Sequence, residues 1–197
     1  MKVVAFLNKK GGAGKTSTAV GLAFGLRRCG LRVGIIDTDP NGSASRWLDG
    51  VDGLDTVPCR ADELAPVLAN VADEYDAVVI DSPPNDADAI SQIAAVADLV
   101  LVPLAPTPIE VDQLPDTVDL IAGSTARWLV VPVRVRWSTT AGQSIRELCV
   151  RQGVPVTKSV VALSESVARS FGEEPPPLSY AALADEVRGE IESAVPA

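Results

Sequence analysis

A glycine-rich loop near the start of the chain has the residue types that bind phosphate. It follows a short apolar run and reads K-G-G-A-G-K-T over residues 10–16. Glycines allow so tight a turn that successive backbone N–H groups point at a phosphate, and a following helix N-terminus adds partial positive charge. The Lys15 ammonium would bind the β- and γ-phosphates of a nucleotide, and the Thr16 hydroxyl could bind Mg²⁺. The residues predicted to bind the nucleotide are Lys10, Gly11, Gly12, Ala13, Gly14, Lys15, Thr16 and Ser17.

The loop departs from the general phosphate-loop pattern at its first position. The pattern G-x-x-x-x-G-K-[ST] requires glycine at position 9, where this chain has Lys9. The next residue is a second lysine, Lys10, at the start of the glycine run. A turn of this composition could also join a strand to a helix without binding anything, and Lys10 could simply be solvated.

Aspartates stand at or just beyond the ends of two later apolar runs. Asp37 and Asp39 follow the run that starts at residue 33, and Asp81 follows the run 77–80. Transfer of a phosphoryl group to water needs a metal ion, a positioned water molecule and positive charge near the γ-phosphate. We expect Asp81 to hold Mg²⁺, directly or through a water molecule. The alternatives are that Asp81 caps the next helix and that the other two aspartates only shape the turn before Pro40.

Short β-branched runs alternate with amphipathic stretches along the whole chain, which is typical of a parallel sheet covered by helices on both faces. We expect one α/β domain over residues 1–197, with a doubly wound, mostly parallel sheet. The predicted strands are 2–8, 32–37, 56–59, 77–81, 99–103, 129–135 and 158–162. The predicted helices are 15–28, 62–74, 86–97, 109–122, 140–152 and 180–195. Pro66 and Pro115 lie inside the second and the fourth of these, so those two helices would start later or kink.

The composition excludes several classes of protein. Histidine is absent, which removes His-based triads, imidazole bases and His-ligated metals. Cys29, Cys59 and Cys149 are too far apart to suggest a disulfide framework or a metal site, and we expect all three to be buried. No apolar run approaches the roughly 20 residues that span a bilayer. The first residues lack the apolar stretch of a signal peptide. We therefore expect a cytoplasmic protein without a membrane partner.

The net charge of −9 hides a basic segment. Residues 124–170 carry seven basic and two acidic side chains, enough for a surface that binds nucleic acid. A scatter of solvated arginines is an equal alternative, and Arg134 and Arg136 could instead contact the nucleotide or a dimer partner. The candidate DNA-binding residues are Arg134, Arg136, Arg146, Arg151, Lys158 and Arg169.

The loop with its second lysine resembles the deviant Walker A motif of the ParA/MinD family of partition and positioning ATPases. Residues 33–42 resemble the family's strand ending in Asp-x-Asp-Pro, although Asn41 stands where glutamine is more usual. Residues 75–84 resemble its Walker B strand, and residues 97–108 resemble its next strand and loop. These motifs are specific as a set and cover roughly residues 2–114, whereas the rest of the chain resembles the family only weakly.

This resemblance implies a P-loop NTPase fold and a Mg²⁺-dependent ATPase of weak basal activity, with ATP and Mg²⁺ as cofactors. It implies that Lys10 reaches across a dimer interface to the partner's nucleotide, that Asp39 orients the attacking water and that Asp37 supports the metal site. The implied catalytic residues are Lys10, Lys15 and Asp39, and the implied metal-binding residues are Thr16, Asp37 and Asp81.

The compact ParA partition proteins are the most similar class, because the first predicted strand begins at Lys2 with no helix-turn-helix before it. They form ATP-bound homodimers, bind duplex DNA non-specifically and act with a ParB-like or other adaptor, so nucleoid association is expected with ATP. The alternatives are a ParA-like ATPase that positions a protein cargo or organelle and, less favoured, a MinD-like cell-division ATPase. An acidic last helix argues against membrane binding by that class. Metabolic relatives fit worse, since those with an iron–sulfur cluster need paired cysteines and the ligases usually lack the equivalent of Lys10.

Overall fold

Six parallel strands form the sheet of this protein, for which a computed structural model describes residues 1–193. The strand order across the sheet is β3-β2-β4-β1-β5-β6, and every pairing is parallel. The predicted doubly wound α/β fold is therefore confirmed. The strands are β1 Lys2–Phe6, β2 Val33–Asp37, β3 Asp55–Pro58, β4 Ala77–Asp81, β5 Leu99–Leu104 and β6 Arg127–Pro132.

Helices cover both faces of the sheet. They are α1 Lys15–Arg28, α2 Ser43–Leu48, α3 Leu64–Val71, α4 Ala87–Val96, α5 Pro108–Asp112, α6 Leu114–Ile121, α7 Thr140–Arg151, α8 Glu165–Arg169 and α9 Ala181–Ser193. Two 3₁₀ turns, Ala61–Glu63 and Pro177–Ser179, precede α3 and α9. Within residues 1–193, no helix combines the length and the apolar character that crossing a membrane would require.

Alternating side chains of the central strands contribute to two separate cores on the two faces of the sheet. In β1, Val4 and Phe6 join the core under α1, α2 and α9, whereas Val3 and Ala5 join the core under α3, α4, α6 and α7. Both sets are at most 6% exposed. Burial on both faces explains why the strand sequences are continuous apolar runs instead of alternating ones.

Strand register brings the candidate acidic residues to one edge of the sheet. Asp81 pairs in register with Phe6 on one side and with Asp37 on the other. The chain leaves β1 at this edge and enters the glycine loop. In open α/β sheets, ligands bind in the crevice beyond the carboxyl ends of the strands, so the fold places this crevice beside the loop.

The prediction of a seventh strand at residues 158–162 was wrong. In the described chain, only isolated parallel bridges join this region to the end of β6 and the residues after it, at Val156 and Ala162. The Glu186 carboxylate accepts the backbone N–H groups of Lys158 and Ser159 at 2.7 and 2.8 Å, so these donors are not available to a ladder. β6 also ends earlier than predicted, at Pro132, which has no N–H to donate.

The predicted helix 109–122 is two helices, α5 and α6. Gln113 separates them, and Pro115 lies in the first turn of α6, where its missing N–H is tolerated. Pro66 has a similar place early in α3, so the predicted helix 62–74 begins as a 3₁₀ turn and continues as α3. The short helices α2 and α8 were not predicted.

Only one of the three cysteines is buried. Cys149 is buried, as predicted, whereas Cys29 and Cys59 are half-buried, so the prediction was wrong for these two. Cys29 Sγ lies 3.5 Å from the Asp185 carboxylate at the exposed border between α1 and α9.

Close packing of α9 on α1 depends on glycine. A Cβ at Gly21 would overlap the Tyr180 ring, which is 2% exposed, and a Cβ at Gly25 would lie 2.6 Å from the Ala184 methyl. The buried face of α9 includes Leu183, Val187 and Ile191, which join the same core as the buried side of α1. The predicted end of this helix, at residue 195, lies outside the described residues.

We predict that Gly21→Ala destabilises the fold by about 1–3 kcal/mol, the usual cost of forcing a methyl group into a filled core. Gly189→Ala is the matched control, since Gly189 lies on the exposed side of α9 with nothing within 4 Å of its added Cβ. That change should stabilise the helix by about 0.5–1 kcal/mol. Urea unfolding of both variants measures the two effects. Equal changes in the free energy of unfolding would contradict the close packing at Gly21.

Candidate functional site

The glycine loop leaves its backbone donors free. Within residues 1–193, the N–H groups of Gly11 to Thr16 donate to no protein atom. Gly14 has φ +90° and caps α1, a left-handed conformation that residues with a Cβ rarely adopt. Unpaired donors at a helix N-terminus form a natural anion site, so the local geometry suits a phosphate chain.

Lys15 lies inside this loop and is 6% exposed. Its ammonium donates to the carbonyl oxygens of Asn8 at 3.0 Å and Lys10 at 3.3 Å. Burial lowers the pKa of Lys15, and the nearby carboxylates of Asp81 and Asp39 oppose that shift. The buried cation is therefore held at the loop by its surroundings and is aimed at the same space as the free N–H groups.

Lys10 is bound to a buried carboxylate. Its ammonium lies 3.3 Å from Glu110, a residue of α5 that is 6% exposed and also accepts the Ala105 N–H at 2.8 Å. Glu110 could not be recognised from the sequence, because Lys10, its ion-pair partner, lies 100 residues away along the chain. Lys9, by contrast, forms an exposed ion pair with Asp116 at 3.1 Å.

Asp37 organises the loop between β2 and α2. Its carboxylate accepts the Asp39 N–H at 3.1 Å and both the N–H and the hydroxyl of Ser45 at 2.8 Å. Asp39 accepts the backbone and side-chain N–H groups of Asn41 at 2.9 and 3.0 Å. Asp37 thus fixes the backbone that carries Asp39, which is the place expected of a residue that supports a metal site.

Asp81 carries the strongest electrostatic strain of the site. Its side chain is fully buried, and neither carboxylate oxygen has a hydrogen-bond partner among residues 1–193. Burial raises the pKa of Asp81 from 3.8 to about 7, and Asp37 adds to the rise. The nearby Thr16 hydroxyl and Lys15 ammonium oppose it. A buried carboxylate without partners suits a cation, and Mg²⁺ is commonly held by one or two carboxylates together with phosphates and water. The residues present therefore fit the predicted Mg²⁺ site.

Two chambers that share lining residues lie beside the loop. The first, about 450 Å³, is lined by Gly12 to Ser17 and by Asp39. The second, about 230 Å³, is mainly apolar and lies among the start of α1, the residues just after β6 and α8. Trp47, Phe171 and Arg134 line both chambers. The two aromatic rings pack with centroids 5.6 Å apart. Sequence reasoning missed both aromatic residues, because α2 was not predicted and Phe171 lies in a loop.

The candidate DNA-binding residues lie in several different elements. Arg134 lines the two chambers, and Arg169 pairs with Glu165 on α8 at 3.3 Å. Arg146 donates to the Thr157 carbonyl at 3.2 Å, which brings α7 close to Lys158. The remaining two, Arg136 and Arg151, are exposed.

Comparisons with known proteins agree with this geometry. Residues 4–177 match the CobQ/CobB/MinD/ParA nucleotide binding domain. The chain belongs to this family. The resemblance drawn from the loop and the two acidic motifs is thereby confirmed, and so is the P-loop type of fold.

Two curated relatives and one solved structure illustrate the range of the family. Maintenance of carboxysome distribution protein A of Gloeobacter kilaueensis is 36% identical over 167 residues, which cover 81% of this chain and 76% of that protein. Chromosome-partitioning ATPase Soj of Thermus thermophilus is 35% identical over 133 residues, 51% of this chain and 53% of that protein. The crystal structure of cobyrinic acid a,c-diamide synthase from Mycobacterium smegmatis, with bound ADP and magnesium, has a TM-score of 0.79 at 20% identity. It covers 99% of this chain and 97% of that one.

We predict that Asp81→Asn stabilises the metal-free protein more at pH 8 than at pH 5. Because the folded-state pKa is raised, folded Asp81 keeps a proton that the unfolded chain loses between about pH 4 and 7, and stability falls as the pH rises through that window. The advantage of the asparagine variant should grow by on the order of 2–3 kcal/mol from pH 5 to pH 8.

Urea unfolding in EDTA at the two pH values measures this change. Asp52→Asn, in an exposed loop before β3, is the control and should change stability equally at both. Parallel pH profiles for wild type and Asp81→Asn would show that Asp81 ionises normally in the fold.

Proposed function

We propose that this chain is a ParA-type ATPase that dimerises around ATP and Mg²⁺, hydrolyses ATP slowly and positions a cargo with the help of an adaptor protein. The main support is the row of free N–H groups in the loop, flanked by buried Lys15 and by Asp81 with its unpartnered oxygens. A phosphate chain and a divalent cation would satisfy all of these groups together. We infer that the protein works in the cytoplasm and has no membrane partner.

Lys15 and the glycine loop would hold the phosphates. Thr16 and Asp81 would hold Mg²⁺, and Asp37 would keep their surroundings in place through its bonds to Ser45 and the Asp39 N–H. When bound, Mg²⁺ would neutralise negative charge that develops between the β- and γ-phosphates.

Asp39 would orient the attacking water. It lines the same chamber as Lys15 and Thr16, so its carboxylate lies at the wall that a γ-phosphate would approach. Asn41, which donates two hydrogen bonds to one Asp39 oxygen, leaves the other oxygen free to accept from water. Loss of a group that only positions the nucleophile slows hydrolysis without removing nucleotide affinity.

Lys10 would act on the nucleotide of the partner subunit. In this arrangement its ammonium is bound to Glu110, so dimerisation would have to exchange that ion pair for one with phosphate. A charged group supplied late to the phosphates stabilises the transition state more than the bound substrate. This exchange gives a physical reason for slow hydrolysis in the monomer.

The similarity to a carboxysome distribution protein favours a protein cargo or organelle as the positioned object. Partition of a plasmid or chromosome region is the second candidate, and the similarity to Soj favours it. Both roles would use non-specific duplex DNA as a track, which implies nucleoid association with ATP. The adaptor, ParB-like or otherwise, would differ between the two roles.

We expect three substitutions to separate the steps of the cycle. Lys15→Ala should abolish nucleotide binding, because it removes the cation at the phosphate loop. Asp39→Ala should bind ATP and accumulate as a dimer while hydrolysis slows by about 10²-fold or more. Lys10→Ala should bind ATP and remain monomeric. Calorimetric titration, sedimentation with ATP and Mg²⁺, and phosphate release measure the three properties.

Two outcomes of these measurements would count against the proposal. Unchanged ATP affinity in a folded Lys15→Ala protein would remove the phosphate-loop assignment. A monomeric Asp39→Ala beside a dimeric Lys10→Ala would show that the two roles are exchanged.

We also expect binding to random duplex DNA that requires ATP. An ATP-bound dimer doubles the phosphate contacts, and log affinity falls with log salt by about 0.9 per contact. Changing Arg146 and Arg151 together to glutamate removes up to four contacts from the dimer. The salt slope should then fall by up to about 3.6. Filter retention at increasing salt, with ATP and with ADP, measures it.

The matched control changes Arg60 and Arg188 to glutamate, since both are exposed arginines in ion pairs outside the basic segment. The control variant should keep most of the dependence of DNA affinity on salt that the wild type shows. DNA binding that is absent with ATP even at low salt would mean that the ATPase positions its cargo on some other surface.

A further inference from the structure

Arg134 has a backbone conformation that side chains disfavour. Its φ is +52°, and among the described residues only Asn85 shares a positive φ without being glycine. The left-handed region suits Asn better than Arg, and such residues persist only where the surrounding structure enforces them. Strain of this kind concentrates at functional sites.

The neighbours of Arg134 on both sides are fixed in place. The Val133 N–H donates to the Leu104 carbonyl at 2.9 Å, and the Val135 N–H donates to the Val161 carbonyl at 3.1 Å. Both valine side chains are 1% exposed, and the Val133 side chain packs 3.7 Å from the Cβ position of Gly14. The buried flanking residues thus dictate the backbone of Arg134 and hold it beside the glycine loop.

Arg134 lies where the two chambers meet. It lines the phosphate-sized chamber with Gly14 and Lys15, and it lines the apolar chamber with Val161 and Val167. Its guanidinium makes no ion pair and no hydrogen bond with residues 1–193, whereas most of the other arginines in that range have such a partner. Arg134 therefore combines a strained backbone with an exposed guanidinium at the junction of the chambers, where a ligand can reach it.

The charged side chains around the first chamber indicate that the ligand is an anion. Lys10 is paired with Glu110, whereas Lys15 and Asp39 line the chamber and Asp81 is buried close enough to Lys15 to affect its pKa. A nucleoside triphosphate brings about four negative charges, and a guanidinium binds phosphate oxygens through two parallel N–H bonds. Arg134 lines the same chamber as Lys15 and makes no ion pair within residues 1–193, so its guanidinium is available to supply these bonds.

We propose that Arg134 binds the nucleotide of its own subunit, at the end of the phosphate chain next to the ribose. The phosphates would occupy the chamber of the glycine loop and the base the apolar chamber, which puts Arg134 at the α-phosphate. This inference rests on the proposed function and replaces the DNA-binding role predicted for this residue. Because ATP and ADP both have an α-phosphate, Arg134 would contribute to the binding of both, unlike a residue that contacts only the γ-phosphate.

The test compares Arg134→Gln with Arg60→Gln in the full chain. Glutamine removes the charge but keeps a polar side chain and the strained backbone, and Arg60 is an exposed arginine beyond β3 that lines neither chamber. Arg134→Gln should weaken ATP and ADP binding by similar factors of about 10–100, the range for a hydrogen bond to a charged group. Arg60→Gln should bind both nucleotides like wild type. Calorimetric titration with Mg²⁺ provides the affinities.

A second variant separates binding from a structural role. Arg134→Gly should bind nucleotide as weakly as Arg134→Gln and should have a melting temperature, without nucleotide, at least equal to that of wild type, because glycine accepts φ +52° without strain. A lower melting temperature together with lost binding would mean that Arg134 supports the fold, which would overturn the assignment.

The remaining outcomes are equally decisive. Unchanged affinities in Arg134→Gln would overturn the inference while leaving the proposed function intact. A loss for ATP alone would move Arg134 to the γ-phosphate or to the partner's nucleotide, against the proposal. Wild-type protein that binds neither ATP nor ADP would overturn the proposed function, and this inference with it.

Discussion

Backbone N–H groups without acceptors at the N-terminus of α1 are the constraint on which the site depends. Such donors cost free energy unless water or a ligand meets them, so the surrounding structure has to hold them open against collapse. Asn8 does part of this, because its side chain accepts the Lys10 N–H and donates to the Pro103 carbonyl, both at 2.8 Å. The Asn85 N–H ties the Lys9 carbonyl to the segment after β4 at 2.8 Å. The loop is thereby fixed from both sides of β1.

Buried charges are the second cost that the fold carries at this edge. Lys15, Asp81 and Glu110 are each at most 6% exposed, and removing charge from water is expensive unless it is paired. Glu110 is paired with Lys10, whereas the Asp81 oxygens have no partner in the described chain. The unfavourable free energy of burying a charge therefore falls mainly on Asp81. A site that binds Mg²⁺ and phosphate recovers this cost on binding, which links affinity to the electrostatics of the protein without its ligands.

The wall opposite the loop comes from the second half of the chain. Tyr180 packs on α1 at Gly21, and the same ring lines the apolar chamber with Val133 and Val167. The contact between α1 and α9 therefore does more than close the core, since it also sets one boundary of the chamber beside the glycine loop. Mutations that loosen the packing of α9 would therefore displace the Tyr180 ring and change the shape of the site.

The sequence by itself determined the chemistry of the loop, the class of fold and the places of Asp37, Asp39 and Asp81, because these depend on local spacing. Residues at the ends of consecutive parallel strands must share one edge of the sheet. The sequence could not determine that Lys158 and Ser159 donate to Glu186, or that Lys10 meets Glu110 across 100 positions. The aromatic pair of Trp47 and Phe171 and the strained backbone of Arg134 likewise arise from tertiary contacts. Local sequence periodicity carries no information about which distant segment supplies the partner of a given side chain. These contacts were therefore decided only by the tertiary structure.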